Sequence, residues 1–406
     1  MPLEVERYRS QFPVTESLIY MNHAAVSPLS RRVRDAMVGL LEELHRSGAE
    51  NWEQWVRTYD DARRSLAQLL NAEPGEIAFT KNTSEGVSTF ANGLEWRPGD
   101  EIVSIEGEFP SNYYAWKALE KRGVVLRLVQ PEQGCVSHES IVNALTARTR
   151  VVAVSFVQYL SGFRLDLEQL GRICAAHGCL LFVDAIQGVG AFPLDAKAAQ
   201  IAGLAADGHK WLLSVEGAGM LYVNRQVMER ITPSEIGWWA VRRWADFTNR
   251  ELSWRDDARR YECGSLNTVG IYGLRAAVDL LLEVGISNIA ERILDLTDRL
   301  RRGLAEQGHS VFGPQTREAA SGIVSFVPRQ GSADDLRPAR GRGSVPLPRT
   351  GRACPERSEG MPVPQRARRP HHIRVIPGVR LRWGRRGWRV LRGLRRRPAR
   401  LLPTTG

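Results

Sequence analysis

The fold is decided by residues 180–187, which read LLFVDAIQ, and by residues 206–211, which read ADGHKW. The first stretch is typical of a buried strand that presents an aspartate, Asp184, at its carboxyl end. The second places His209 and Lys210 after a glycine, with the lysine 26 positions beyond that aspartate. Each residue alone would be an ordinary buried aspartate or surface lysine. Their combination in one pattern indicates a functional site.

Strands and helices alternate around these two stretches. We predict strands at 77–80, 101–105, 124–129, 151–157, 180–184 and 219–223, and helices at 84–93, 111–121, 137–147 and 167–177. This alternation predicts an α/β protein whose mostly parallel sheet has helices on both faces. Ligands of such folds bind beyond the carboxyl ends of the strands. We therefore expect the site near residues 80–84, 106–110, 155–160, 184–187 and 207–210.

The chain divides into four segments by its pattern and composition. We predict an N-terminal segment at 1–20, a large domain at 21–265, the start of a smaller α+β domain at 266–330, and a tail at 331–406. Residues 271–307 have helical spacing with a break at Gly285, and residues 321–328 read as a strand.

The tail differs sharply from the rest of the chain. Of the net charge of +11, residues 331–406 carry +16, from 20 Arg and four acidic residues, so the first 330 residues carry −5. The tail also holds ten of the 21 prolines. We interpret it as out-of-frame translation of GC-rich DNA, which would leave the smaller domain incomplete. The alternative interpretation is a disordered basic arm.

The remaining composition predicts a cytoplasmic protein without a membrane partner. No apolar run of about 18 residues is present, and the first residues lack the layout of a signal peptide. The five cysteines have no metal-ligand spacing, so we expect free thiols and no metal site.

The pairing of Asp184 with Lys210 meets the needs of pyridoxal 5′-phosphate (PLP) chemistry. A carboxylate keeps the pyridine nitrogen protonated, so that the ring withdraws electrons from the substrate. A lysine amine binds the cofactor as a Schiff base and later moves the Cα proton. Gln187, just beyond Asp184, is positioned to donate a hydrogen bond to the phenolic oxygen of the cofactor.

Two further motifs follow strands. Residues 80–87, TKNTSEGV, open a helix that Thr83 or Ser84 would cap, and the free N–H groups of its first turn would hold a phosphate. In residues 108–112, EFPSN, Phe109 would stack on the cofactor ring.

These stretches, in this order and spacing, resemble the class V aminotransferase family, which includes cysteine desulfurases, kynureninases and isopenicillin-N-epimerase-like proteins. Residues 20–28, YMNHAAVSP, and 260–267, RYECGSLN, are similar to two more active-site segments of that family. The resemblance covers residues 15 to about 328. It implies the PLP-dependent transferase fold type I, a seven-stranded type of sheet, an amino-acid substrate, and a homodimer whose active sites lie at the subunit interface.

The resemblance also assigns roles to individual residues. His209 would contact the cofactor phosphate, Ser155 would face the cofactor, and Ser265 would reach the phosphate in the partner subunit. Weaker substrate-binding candidates are His23, Tyr159 and Arg374.

The predicted function is a PLP-dependent enzyme that acts on an amino acid as a lyase, an epimerase or an aminotransferase. Desulfurases usually carry a histidine where this chain has Phe109, which disfavours that reaction. One alternative is a catalytically defective PLP-binding relative without a complete C-terminal domain. A less favoured alternative is nucleic-acid binding through the basic tail.

Overall fold

A seven-stranded sheet forms the centre of the protein. The computed structural model describes residues 5–329 and two short strands at 381–384 and 387–390. The strands of the main sheet are β1 Ile77–Thr80, β2 Glu101–Ile105, β3 Val125–Val129, β4 Thr149–Ser155, β5 Leu180–Asp184, β6 Ile201–Asp207 and β7 Gly219–Val223. Their order is β1-β7-β6-β5-β4-β2-β3, and only the pairings of β7 are antiparallel. The mostly parallel α/β sheet expected from the sequence is therefore confirmed.

Helices connect and cover these strands. They are α1 Val5–Arg9, α2 Val14–Ser17, α3 Arg31–Ser47, α4 Trp52–Leu70, α5 Thr83–Gly93, α6 Ser111–Lys117, α7 His138–Ala144, α8 Leu167–Ala176, α9 Thr268–Val284 and α10 Ile286–Glu306. Gly285, with φ of 84°, separates α9 from α10, as the sequence predicts. Helix α9 packs against α3 and α4.

Both faces of the sheet are buried, which explains why its strands read as continuous apolar runs. On β5, Leu181 and Val183 belong to the core cluster that includes apolar side chains of α4 and α9. Phe182 points to the other face, where its ring lies 4.8 Å from that of Phe90 on α5 and 5.4 Å from that of Trp116 on α6. Because successive side chains of a strand point to opposite faces of the sheet, this one strand packs against helices on both faces.

The six predicted strands are present, each with ends within two residues of the prediction. Strand β6 was missed because its sequence, IAGLAAD, is built from small residues with little strand preference. Every residue of β6 is buried, so neighbouring strands and α5 impose its conformation. Helices α3 and α4 were also not predicted.

Beyond the main sheet, β8 Ser310–Phe312 and β9 Ser325–Val327 form an antiparallel pair after α10. The predicted strand at 321–328 is thus present in shorter form. A second antiparallel pair joins β10 Leu381–Gly384 to β11 Gly387–Val390. Within the described residues, no helix combines the length and apolar character needed to cross a membrane.

Candidate active site

A cavity of about 240 Å³ lies where β1, β2, β5 and β6 end. It is lined by Asn82, Thr83, Ser84, Phe109, Ser111, Asp184, Ile186, Asp207, His209 and Lys210. Six of these residues were predicted site residues: Thr83, Ser84, Phe109, Asp184, His209 and Lys210. They are brought together because parallel strands present their carboxyl ends at one edge of the sheet.

Lys210 and Asp184 are both buried at this cavity, with exposures of 7% and 2%. The Lys210 ammonium lies 5.3 Å from the centre of the Phe109 ring. Asp184 accepts a hydrogen bond from the Ile186 N–H at 3.1 Å. Burial raises the pKa of Asp184 to about 6, against the opposing effects of that hydrogen bond and of the Lys210 charge. A cationic ring nitrogen beside Asp184 would restore its ionised form.

His209 is held at the cavity by a carboxylate. Its Nδ1 lies 2.8 Å from Oδ2 of Asp207, whose other oxygen accepts the Gly208 N–H at 2.7 Å. Asp207 is the last residue of β6, the strand that was not predicted. The pair therefore fixes the orientation of the histidine ring immediately before Lys210.

The start of α5 corrects one expectation. The predicted capping by Thr83 or Ser84 is wrong, because Asn82 is the N-cap and its side chain accepts the Glu85 N–H at 3.0 Å. Asn82 has an extended backbone and a short polar side chain, which suit that position one residue earlier. Thr83 and Ser84 instead occupy the first turn, whose N–H groups have no partner within the helix.

These residues fit the groups of PLP. The Thr83 hydroxyl is buried without a hydrogen-bond partner, and it lies at a helix start where an anion is stabilised. The Ser84 hydroxyl donates to that of Ser111 at 2.7 Å on the same cavity wall. A phosphate fits here, a pyridine nitrogen fits at Asp184, and an aldehyde carbon fits at Lys210.

Two predicted cofactor ligands, Ser155 and Gln187, are buried but do not line the Lys210 cavity. The Ser155 hydroxyl donates to Glu108 at 2.5 Å. The Gln187 side chain donates to the Ala24 carbonyl and accepts from Trp211 Nε1, both at 3.0 Å. These hydrogen bonds tie neighbouring segments together, and direct contact of Ser155 or Gln187 with the cofactor stays a prediction.

His23 and Tyr159 line a second, larger cavity of about 490 Å³, whose walls are mainly apolar. His23 stacks on Trp211 with ring centres 5.3 Å apart, and burial lowers its pKa to about 4, so it is neutral at pH 7. Tyr159 meets the Phe109 ring edge-on at 5.2 Å. This aromatic pair therefore brings a residue that lines the Lys210 cavity into contact with one that lines the larger cavity.

Ser265 lines neither of these two cavities. Ser265 is exposed on the segment before α9. Arg374 lies outside the described residues, as does most of the predicted tail. The four cysteines in the described part of the chain are free, and neither cavity is lined by any of them. That part also contains no group of three or more side chains suited to a metal ion.

Several residues at the site were not singled out from the sequence. Asn82 and Ser111 line the cavity within the quoted motifs, and Trp211 follows Lys210 directly. Glu108 is buried beside Phe109. Each lies within one or two residues of a predicted site residue, and this proximity in sequence was the only indication of a role at the site. The directions of their side chains could not be read from the sequence.

Comparisons with known proteins agree with this geometry. Residues 19–375 match the family model described as aminotransferase class V. The chain is 31% identical to a probable cysteine desulfurase of Methanothermobacter thermautotrophicus, over 80% of this chain and 81% of that protein. It is 30% identical to one from Pyrococcus abyssi, over 79% and 81%.

Solved structures give the same picture. The cysteine desulfurase of Thermococcus onnurineus is 27% identical, with a TM-score of 0.74 over 83% of this chain and 85% of that one. The cystine C–S lyase C-DES, solved with its product cysteine persulfide, is 25% identical, with a TM-score of 0.73 over 78% and 86%.

Proposed function

Because this chain belongs to the class V aminotransferase family, we propose that it is a PLP-dependent enzyme that acts on an amino acid through a Schiff base on Lys210. One observation carries the proposal: Lys210 and Asp184 are buried at the same cavity, beside a helix start suited to a phosphate. The match to the family model extends to residue 375, and neither a defective relative nor a nucleic-acid-binding protein is favoured.

The residues of the chain divide the work in this proposal. PLP, when bound, supplies a ring that withdraws electrons from the substrate Cα. Lys210 binds the cofactor and carries the proton to and from Cα. Asp184 keeps the ring nitrogen protonated, and Phe109 covers the ring. Burial of Lys210 and Asp184 excludes water from both groups.

The finer proposal concerns the reaction. We propose chemistry at Cα or Cβ that uses no thiol of residues 5–329, since the cysteines there line neither cavity. A phenyl ring at position 109 stacks on the cofactor but transfers no proton. Turnover of a panel of amino acids, followed for keto acid, racemised product, alanine and sulfide, separates the reactions. Alanine and sulfide from cysteine would instead support the cysteine desulfurase activity named for the two archaeal relatives described above.

We further propose a cytoplasmic homodimer with shared active sites. Ser265 is exposed and lines neither of the two cavities described above, which suits a ligand for the partner subunit's cofactor. Sedimentation of the purified protein tests the oligomeric state. A monomer that binds PLP as tightly as its Ser265→Ala variant would contradict this assembly.

The test of the main proposal is spectroscopic. Addition of PLP to the purified protein should produce a visible absorbance band, because the Schiff base extends the conjugation of the cofactor. Lys210→Ala should abolish that band. Lys197→Ala is the matched control, since Lys197 is a surface lysine that pairs with Glu73 at 2.9 Å, and this variant should keep the band. A parent protein without a band, or a band retained in Lys210→Ala, would refute the proposal.

A further inference from the structure

Glu108 is a buried carboxylate next to the site, and none of the roles above uses it. Its exposure is 6%, and it lies in the turn after β2. It accepts the Ser155 N–H at 2.8 Å, the Ser155 hydroxyl at 2.5 Å and the Gln158 side-chain amide at 2.7 Å. All three donors belong to the end of β4 and the residues just beyond it. One side chain therefore joins two neighbouring strand ends.

Both joined segments carry an aromatic ring at the cavities. Glu108 precedes Phe109, and Gln158 precedes Tyr159. The Phe109 and Tyr159 rings meet edge-on, with centres 5.2 Å apart and planes at 85°. Phe109 lines the Lys210 cavity and Tyr159 lines the larger one. The distance between the turn after β2 and the segment after β4 sets the contact between the two rings.

We propose that Glu108 is a positioning residue, which holds Phe109 against the bound cofactor and Tyr159 against the substrate by linking the turn after β2 to the end of β4. This inference rests on the proposed function, because it assumes that PLP binds at Lys210. Glu108 itself lines neither cavity and touches no reacting atom in this arrangement.

The protonation of Glu108 gives the proposal a specific chemical signature. Burial raises the pKa of Glu108 to about 7, Ser155 lowers it, and the neighbouring Asp184 raises it further. The titratable groups on this side of the cavity are Asp184 on β5, and Asp207, His209 and Lys210 at the end of β6 and beyond. The neutral acid can donate to the Ser155 hydroxyl while its other oxygen accepts from Ser155 and Gln158.

The hydrogen-bond pattern of the neutral acid is one that glutamine reproduces. In Glu108→Gln, the amide NH₂ replaces the acid O–H as donor and the amide oxygen remains the acceptor. In Glu108→Ala, both turns lose the link. Glu106→Ala is the matched control, because Glu106 is an exposed glutamate in the same turn.

The experiment measures PLP affinity from the visible band, and the pH dependence of that band, in the three variants and the parent. We expect Glu106→Ala and Glu108→Gln to bind PLP within about twofold of the parent. Glu108→Ala should bind up to about tenfold more weakly, the effect of losing a ring-stacking contact. Glu108→Gln should also lose a step near pH 7 in the band's pH profile, which a purely structural role would not produce.

Crystal structures of the cofactor-free variants provide a second measurement that does not depend on PLP. The edge contact between Phe109 and Tyr159 should persist in Glu108→Gln and be lost in Glu108→Ala. Unchanged rings and parental PLP affinity in Glu108→Ala would overturn the inference. A parent without a visible band would refute the proposed function instead, and the ring positions would still decide the role of Glu108. If Glu108→Ala fails to fold, Glu108→Asp, which is one methylene shorter, replaces it.

Discussion

At the scale of the residue, Asp184 shows how the site differs from an ordinary strand end. Its carboxyl is 2% exposed and has one hydrogen bond from the Ile186 N–H, so its burial is only partly compensated. The sequence located this residue at the end of an apolar run, but burial and the pKa near 6 come from the strands around it. Such a partly compensated carboxyl group is typical of a site built for a ligand.

The pH dependence of stability follows from this shift. The folded pKa of Asp184 is raised from 3.8 to about 6, so the folded cofactor-free protein binds more protons than the unfolded chain between these values. Its stability should therefore fall as the pH rises through that window. Asp184→Asn removes the titration and should raise the free energy of unfolding at pH 8 by on the order of 2 kcal/mol, with little effect near pH 4.

Urea unfolding of the cofactor-free parent and of Asp184→Asn at pH 4 and pH 8 measures this difference. The same variant should bind PLP more weakly than the parent, because a neutral amide does not stabilise a protonated ring nitrogen. An equal change in the free energy of unfolding at pH 4 and pH 8 in Asp184→Asn would contradict the electrostatic explanation.

At the scale of the element, the position of α5 on the sheet sets the phosphate site. Gly86 lies in this helix where an added Cβ would be 2.8 Å from the Ala205 Cβ on β6. The glycine thus allows close approach of helix and strand. The sequence identified the helix and the strand before it. Strand β6 and the N-cap at Asn82 were not predicted, because the packing of one element against another cannot be read from the sequence.

Gly86→Ala tests this packing. The added methyl group should push α5 from the sheet and lower the free energy of unfolding by about 1–3 kcal/mol. The higher helix preference of alanine offsets a smaller part of this loss. PLP affinity should fall as well, because the first turn of α5 moves with the helix. Thermal unfolding and PLP titration measure the two effects.

Gly39→Ala on α3 is the control for the helix-preference gain. Nothing lies within 4 Å of an added Cβ there, so the variant should be slightly more stable than the parent. A Gly86→Ala protein that gains stability as Gly39→Ala does would show that the approach of α5 to β6 is not tight.

At the scale of the whole molecule, Glu262 connects distant parts of the chain. It accepts two hydrogen bonds from Arg63 on α4, at 2.5 and 2.9 Å. It also accepts the Phe79 N–H on β1 at 2.7 Å and Trp239 Nε1 at 3.1 Å. The sequence suggested a family segment at 260–267, but it gave no sign that Glu262 links α4, β1 and Trp239.

Glu262→Ala should lower the free energy of unfolding by about 3–5 kcal/mol, because it leaves the Arg63 guanidinium buried without its partner. Denaturant titration provides the measurement. Glu53→Ala is the control: Glu53 is 88% exposed and pairs with Arg57 at 3.6 Å, so its loss should change stability by less than about 0.5 kcal/mol. Similar decreases in the free energy of unfolding in the two variants would argue against a large contribution from the buried Arg63–Glu262 pair.

The sequence by itself determined the strand end that carries Asp184, the Gly-His-Lys motif that contains Lys210, the helix start near Thr83 and Ser84, and the position of Phe109. These are local features, because apolar runs and the residues that end them are read directly along the chain. Only the tertiary structure decided that Ser155 faces Glu108, that Gln187 joins Trp211 to the Ala24 backbone, and that Tyr159 meets Phe109. Those contacts join residues from different strands, and their geometry depends on register and side-chain direction, which local sequence patterns do not specify.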